Sequence, residues 1–404
     1  MDASLSHALH EVLGKVVGFI YPNEIELQWS ILIVLYPYIT GLVAGAFILA
    51  SLERVFNVAA VKPTYRLALL TALAFLIVAP LPLNLHLGHP ERAFNILFTP
   101  NPSSAMAMFG FVYLWYLMAV LLLEVWLDYR KDIVGWSKSD PNPVKRFLYR
   151  IGSFGVDNVS PRSLEIDDKL GRAITLIGLP SAVLLHGYVG FIFGSIKANP
   201  WWSTPLMPVI FLFSAMASGI AAVLLLYMVT SALRRRPVSM DCLDTIGKYF
   251  LTALILAFSL EMLETLQKTY EAEEHFDILS LMVEGRLYVS MVLVQVVLGA
   301  LTPMALLSWA LALRPSEGVR KAFYAASAVL SLIGIFAMRW NVVMGGQLFS
   351  KSLRGFTTFK IELVGREGLL AAGVVLLLPF LILAVLLYFL PPWEPEGSPA
   401  GSKD

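Results

Sequence analysis

The sequence predicts an all-α fold, a polytopic membrane bundle of about nine transmembrane helices. Of the 404 residues, 57% are hydrophobic and only 15% are charged, whereas about a quarter of the residues in a soluble domain carry charge. Nine apolar stretches also reach the roughly 20 residues that a helix needs to cross the hydrocarbon core of a bilayer. No water-soluble fold could accommodate this sequence, so we predict a multi-pass protein of the cell membrane.

The predicted spans divide the chain into three parts. Residues 1–29 form an extracytoplasmic segment, in which 5–20 has apolar residues at helical spacing, is too short to span and is typical of an interfacial helix. A transmembrane domain covers 30–390, and a polar cytoplasmic tail covers 391–404. The nine spans run approximately over 30–52, 67–88, 105–127, 172–195, 205–232, 246–266, 287–313, 321–340 and 368–390.

The distribution of basic residues predicts the orientation. About two thirds of the 30 Lys and Arg residues fall on the side that carries 128–171 and 234–236. Cytoplasmic loops are enriched in Lys and Arg, so the N-terminus is predicted outside and the C-terminus in the cytoplasm. The segment 128–171 is then the one sizeable cytoplasmic loop, and a plain surface loop is favoured there over a docking site. A net charge of +1 gives no reason to expect a nucleic-acid partner. The predicted spans make membrane lipid the expected surroundings of the chain.

Cysteine labelling in intact cells tests this orientation. With Cys242 replaced by Ser, a membrane-impermeant thiol reagent should label Ser203→Cys, in the predicted outer loop, and should leave Ser239→Cys unlabelled. The reason is that the bilayer separates the reagent from the cytoplasmic loop. Labelling of Ser239→Cys, or none of Ser203→Cys beside an accessible control, would reverse the orientation.

Polar side chains recur at one depth in three of the predicted spans. Ionisable and amide groups inside a span cost about 2.5–3.5 kcal/mol or more unless they face protein or water, so they are functional candidates. The alternatives are interfacial anchoring of His and Tyr and simple bridging between helices. The outer-half groups are Tyr36 and Tyr38 of span 1, Asn84 and His86 of span 2, and His186 of span 4.

Two acidic residues lie at the opposite, cytoplasmic ends of their spans. Glu53 closes span 1, and Glu124 lies in span 3. These carboxylates are predicted to form the end of a proton path, and the alternative is that they snorkel to the interface. Glu261 and Glu264 form a similar pair on one face near the outer end of span 6.

The sequence indicates no haem, no iron–sulfur cluster and no metal site in this chain. Cys242 is the one cysteine, so neither a cluster nor covalent haem attachment has its thiolates. Each low-spin haem needs two axial ligands, and only His86 and His186 lie within predicted spans.

Four ordered motifs carry a family resemblance over most of 25–390. They are HLGHPER, TPNPSSAMAMFG, LLHGYVGFIFGSIKANPWWSTPLMPVIFLFSA and RWNVVMGGQ. With these motifs the chain resembles the NrfD/PsrC (polysulfide reductase) family of membrane subunits. Within that family it is most similar to the Hdr-like menaquinol oxidoreductase subunits of Dsr-type complexes.

The resemblance implies a site for menaquinone or menaquinol near the outer face, in a respiratory complex of sulfate respiration. Electrons would pass to an extracytoplasmic ferredoxin-like iron–sulfur subunit, and the other partners implied are Dsr-type subunits: a cytochrome b, a cytochrome c and Hdr-like iron–sulfur proteins. Family members have two four-helix bundles with extra helices, and some have ten spans rather than nine. Where many members read Asp-Leu-Gly-Arg-Pro, this chain has His86-Leu87-Gly88-His89-Pro90, so an imidazole replaces the acidic residue.

Quinol oxidation releases two electrons and two protons, which sets the chemistry required of the site. His86 and His186 are the predicted catalytic residues, because an imidazole titrates near neutral pH and can take a proton from the ring hydroxyl. Tyrosine, amide and tryptophan side chains can orient and cover the ring. The predicted quinone-binding residues are Trp29, Tyr36, Tyr38, Asn84, His89 and Arg92.

Three alternatives remain open at the level of the sequence. Quinone reduction, the reverse reaction, is chemically equivalent at the site. Broken helices together with Glu53 and Glu124 are also typical of an ion-translocating subunit. A passive membrane anchor, in which the polar groups serve helix packing, would bind no quinone.

Overall fold

Nine helices in the described part of the chain are long and apolar enough to cross a membrane, which confirms the predicted fold class and number of spans. The computed structural model describes residues 26–393 except Gln28, residues 273–275, Ser352 and Arg354. The predicted interfacial helix at 5–20 and most of the C-terminal tail lie outside the described residues. The predicted orientation stays a prediction.

The helices of the first half begin with α1 at Ile31–Arg54. Span 2 consists of α2 (Lys62–Val78) and α3 (Leu81–His86). Span 3 consists of α5 (Ala105–Trp115), a π-helical segment at Tyr116–Leu121, and α6 (Leu122–Ser139). The remaining helices up to the end of span 4 are α4 Asn95–Phe98, α7 Pro143–Gly152 and α8 Pro161–Gly194.

The second half contains the other five spans. A π-helix at Tyr288–Leu301 continues directly into α12 and makes up more than half of span 7. The helices of this half are α9 Met207–Leu233, α10 Met240–Glu271, α11 Phe276–Glu284, α12 Thr302–Leu313, α13 Glu317–Val343 and α14 Leu369–Phe389.

Span 2 is interrupted where two prolines follow each other closely. Proline lacks a backbone N–H and clashes with the preceding turn, so a helix rarely continues through it. Helix α2 ends at Val78, and α3 begins at Leu81 after Pro80. This break sets the direction in which the last turn of span 2 presents Asn84 and His86.

The core is centred on α1, which packs against α2, α8, α9 and α13. Its most extensive contact is with α9, where Gly45 and Gly219 meet backbone to backbone. A Cβ atom on Gly219 would collide with the backbone of Gly45 and Ala46. Small residues allow membrane helices to approach this closely, so this crossing joins spans 1–4 to spans 5–8.

The segment 128–171 is mostly helical, so the prediction of a plain surface loop was wrong, whereas its position in the cytoplasm stays a prediction. Helix α6 continues to Ser139, α7 is a separate helix, and α8 begins at Pro161, well before the apolar part of span 4. Asn142 caps α7 by accepting hydrogen bonds from two backbone N–H groups of the first turn. The hydropathy pattern shows where a helix leaves the apolar layer of the membrane. It does not show where the helix ends, because α6 and α8 continue beyond that layer.

Candidate functional site

His186 lies on α8 in the interior of the bundle and is fully buried. Its Nε2 atom is 3.0 Å from Nη2 of Arg339 on α13, and its Nδ1 atom is 3.5 Å from Oγ1 of Thr40 on α1. Because the guanidinium only donates, Nε2 accepts, which assigns the ring proton to Nδ1 facing Thr40. The imidazole stacks on Phe211 of α9, with ring centroids 5.8 Å apart.

Arg339 is also fully buried, and it joins α8, α9 and α13. Its Nη2 donates to Ser214 Oγ at 2.7 Å and to the Phe211 carbonyl at 3.2 Å, and its guanidinium lies 3.9 Å from the centre of the Phe211 ring. No carboxylate of the described residues forms an ion pair with it. A buried guanidinium held by neutral acceptors is costly, which makes it a functional candidate. The signal in the sequence was an Arg inside an apolar span, within the motif RWNVVMGGQ.

His86 is the last residue of α3 and lies in a different place. Its Nδ1 atom is 2.6 Å from Oε2 of Glu367, which precedes α14. The His86 and Glu367 side chains are 26% and 31% exposed, so both lie at the surface of the bundle. Arg366 donates to the Leu87 carbonyl at 2.7 Å and ties the same two segments together.

A cavity of about 430 Å³, here called the Trp29 cavity, lies against Glu367. Trp29 and Trp340 form apolar parts of its wall, and Trp29 stacks on Trp202 with ring centroids 5.7 Å apart. Its other lining residues include Ile31, Phe359, Lys360, Ile361 and Arg366. The cavity therefore combines flat apolar faces with charged groups at one end of the bundle.

The two predicted catalytic imidazoles lie in different surroundings. His86 borders the Trp29 cavity through Glu367, whereas His186 contacts Arg339 inside the bundle. No hydrogen bond between described residues joins one to the other. Trp29, another predicted site residue, lines the same cavity that His86 borders through Glu367.

The remaining predicted quinone-binding residues are spread between these two places. Tyr36 and Tyr38 are buried in α1, and the Tyr38 hydroxyl donates to the Leu332 carbonyl at 3.2 Å. Asn84 is half-buried, and its Oδ1 has no hydrogen-bond partner among the described residues. His89 and Arg92 are exposed beyond α3, and His89 Nδ1 lies 3.0 Å from Oε1 of Glu91.

The predicted inner carboxylates belong to a larger charged cluster. Glu124 is buried, its Oε1 accepts from Thr175 Oγ1 at 2.6 Å, and its Oε2 has no partner among the described residues. Glu53 is half-buried next to Arg54, which donates to Asp168 at 2.9 Å.

Sequence reasoning missed the central cation of this cluster. Arg66 donates to Asp128 Oδ2 at 2.7 Å and to Asp132 Oδ2 at 2.8 Å. The spacing of four residues between the two aspartates, one helical turn, was the signal that could have paired them with a basic group.

A third polar group joins α10, the π-helix Tyr288–Leu301 and α13. Gln295 Nε2 donates to Glu261 Oε2 at 2.9 Å, and Asn341 Nδ2 donates to Gln295 Oε1 at 2.7 Å. Glu261 was predicted as one of a pair with Glu264, but the two amides were missed. Both amides lie in strongly apolar segments of the sequence, which was the available signal.

Nine membrane-spanning helices in the described residues, closed around buried polar groups, define an integral membrane protein with a polar interior. The chain belongs to the polysulphide reductase NrfD family, whose sequence profile matches residues 22–351. This confirms the family that the motifs indicated. Its multi-pass helical fold places the chain in the cell membrane.

Three relatives indicate the breadth of the family. The chain is 34% identical over 205 residues to a selenate reductase subunit of Mesobacillus selenatarsenatis, covering 50% of this chain and 48% of the relative. It is 28% identical over 214 residues to protein NrfD of Escherichia coli, covering 52% and 62%. It is 22% identical over 328 residues to the Hdr-like menaquinol oxidoreductase integral membrane subunit of Archaeoglobus fulgidus, covering 80% and 72%.

Coverage differs among these relatives. The first match spans about half the length of the selenate reductase subunit, and the match to the Archaeoglobus subunit spans most of both chains. Two of the three names describe subunits of a reductase or an oxidoreductase. The chain is thus a multi-pass membrane protein of the NrfD family that is similar to subunits with these names.

Proposed function

We propose that this chain oxidises menaquinol near the outer membrane face and passes the electrons to an iron–sulfur partner subunit. The observation that carries the proposal is the His86–Glu367 hydrogen bond beside the Trp29 cavity. The name of the Archaeoglobus relative, which includes menaquinol oxidoreductase, supports the choice of substrate.

The cavity suits the ring of a quinol. Ligand sites are mostly clefts of about 300–1,000 Å³ with apolar walls and a few polar groups, and the Trp29 cavity of about 430 Å³ lies in that range. Trp29 and Trp340 offer flat faces to an aromatic ring. In the proposed arrangement the ring lies between them, and a ring hydroxyl faces the His86–Glu367 pair.

The proton transfers follow from the hydrogen bonds. One menaquinol gives menaquinone, two protons and two electrons, and the electrons leave to a cluster of the partner subunit. His86 takes one proton from a ring hydroxyl, and Glu367, 2.6 Å away and partly exposed, passes it on. In this proposal the second ring hydroxyl releases its proton to solvent at the open side of the cavity. His186 is less available, since its Nε2 already accepts from Arg339. We therefore assign to His186 the positioning of the Arg339 guanidinium.

Filling the Trp29 cavity tests the site. Ile361→Trp should raise the KM for a soluble naphthoquinol by about tenfold or more, because the added ring occupies the space of the substrate. Turnover of the purified complex is measured anaerobically by reduction of the partner's clusters. Ile177→Trp, on an exposed face of α8, is the matched control and should leave KM unchanged. Equal KM values in all three complexes, all well assembled, would favour the passive anchor.

We also infer that Glu124 carries protons at the cytoplasmic end. By geometry its buried Oε2 has no hydrogen bond among the described residues, and the Nε of Arg54, which interacts with it electrostatically, is also unpaired. In liposomes, Glu124→Gln should lower proton movement per electron by about tenfold while quinol oxidation in detergent persists. The exposed pair Glu165–Lys169 supplies the control Glu165→Gln. An unchanged ratio in Glu124→Gln would support a merely structural carboxylate.

A further inference from the structure

A second cavity, of about 280 Å³, lies between α10, α11, the π-helix Tyr288–Leu301 and α13. We call it the Glu261 cavity. Its walls are largely apolar and include Met262, Phe276, Leu279 and Met291. Near Glu261 and Gln295, Gly299 of the π-helix and Gly334 of α13 touch backbone to backbone.

A chain of hydrogen bonds forms the polar part of this cavity. Ser290 Oγ donates to Asn341 Oδ1 at 2.6 Å, Asn341 donates to Gln295 at 2.7 Å, and Gln295 donates to Glu261 Oε2 at 2.9 Å. Each side chain donates to the next, so the chain of hydrogen bonds ends on the carboxylate of Glu261. Asn341 is 2% exposed and Gln295 is 9% exposed, and the three hydrogen bonds of this chain fix both amides. This hydrogen-bonded chain therefore offers a ligand one acceptor, the Glu261 carboxylate.

Charge around the cavity restricts the class of ligand further. Glu261, Glu264 and Glu284 all line it, and Lys268, the one lysine among its described lining residues, is paired with Glu264 at 2.8 Å. Lys268 also donates to the Trp201 carbonyl at 2.7 Å. An anionic lipid head group would meet repulsion here, and an acyl chain would offer no donor to the Glu261 carboxylate. A neutral, flat apolar molecule with a hydroxyl donor satisfies both the walls and the carboxylate.

The π-helix is the structural cause of this arrangement. π-helical turns are rare and mostly short, and they occur frequently at functional sites. The segment Tyr288–Leu301 holds this geometry over 14 residues. It presents Gln295 to Glu261 and Asn341 while the neighbouring Met291 and Val296 line the cavity. The π-helix therefore positions the Gln295 amide between Glu261 and Asn341.

We propose that the Glu261 cavity binds the ring of a second quinol, whose hydroxyl donates to the Glu261 carboxylate. The choice of ligand rests on the proposed function, but the two cavities share no lining residue. The volume is close to the lower end of small-molecule sites, which suits one ring with its isoprenoid tail in the lipid. No electron transfer is assigned to this site.

Equilibrium binding of 2,3-dimethyl-1,4-naphthoquinol to the purified complex, without oxygen, tests the proposal. The wild type should bind two equivalents. Glu261→Gln should weaken one of them by about tenfold or more, because a charge-assisted hydrogen bond is lost. The oxidised naphthoquinone should bind that site with no such loss, since it has no hydroxyl to donate. The measured quantity is the ratio of the affinity for the naphthoquinol to the affinity for the naphthoquinone. A merely structural role of Glu261 would not change this ratio.

Cavity-filling variants keep the test decisive if Glu261→Gln fails to assemble. Ser280→Trp, at the α11 wall, should remove one equivalent of both ring forms, whereas Leu263→Trp, exposed on α10 outside the cavity, should remove none. Ile361→Trp should remove only the other equivalent, at the Trp29 cavity. If Ile361→Trp alone has no effect, the proposed function loses its site and this proposal stands.

Three results would overturn the proposal. One is a single equivalent in the wild type that Ile361→Trp removes. Another is unchanged binding of both ring forms in Glu261→Gln and Ser280→Trp. The third is a stoichiometric phospholipid that the wild-type complex retains and Ser280→Trp loses, because a lipid would then be the occupant.

Discussion

Replacing His86 by Phe should lower menaquinol oxidation by about 10²–10⁴-fold, the usual effect of removing a general base. Phe keeps most of the volume and removes the nitrogen that contacts Glu367 at 2.6 Å. The His86 side chain is partly exposed at the end of α3, so the helices around it should still assemble. Turnover of the purified complex with a naphthoquinol, measured at saturating concentration, gives the result.

His89 provides the matched comparison for this experiment. It lies three residues further along, is 67% exposed and has Glu91 as its partner, outside the Trp29 cavity. His89→Phe should therefore cost much less than His86→Phe, although the sequence predicted a role for both. Glu367→Gln should give an intermediate loss, because the amide keeps a hydrogen bond to His86 and cannot take up a proton. Equal turnover in His86→Phe and the wild type would remove His86 from the mechanism.

The spans could be predicted from the sequence because lipid imposes a simple requirement on each of them. A helix that crosses a bilayer needs about 20 apolar residues, and nine segments met that condition without any knowledge of their neighbours. The break in span 2 has an equally local cause, since Pro80 and Pro82 act on their own turns. The ends of helices were less predictable, because α6 and α8 continue as polar helices beyond the apolar layer.

The site could be predicted only as single residues. His86 meets Glu367 across 281 positions of the chain, and His186 meets Arg339 across 153. Hydrophobic periodicity indicates which face of a helix is apolar, but these helices are apolar on most faces, so it does not indicate which helices meet. The π-helix Tyr288–Leu301 was missed for a related reason, because its sequence has the same apolar character as an α-helical span.

The pairing of His186 with Arg339 changes what its substitution should do. The sequence predicted two equivalent imidazoles, whereas Nε2 of His186 already accepts from the buried guanidinium at 3.0 Å. His186→Phe leaves that charge with one acceptor fewer, in a place that water does not reach. We expect the loss of about 3 kcal/mol of stability and a lower turnover in the assembled complex, because the Arg339 guanidinium is no longer held in place. Thermal unfolding in detergent and quinol oxidation measure the two effects.

His186→Gln separates the two roles that an imidazole could have here. The amide oxygen of Gln can accept from Arg339, so stability should return to near that of the wild type, but an amide takes up no proton at neutral pH. Because we assign His186 the positioning of Arg339, turnover should recover to within about tenfold of the wild type. Recovery of stability without recovery of turnover would instead make His186 a proton acceptor, which requires its hydrogen bond to Arg339 to break during each cycle.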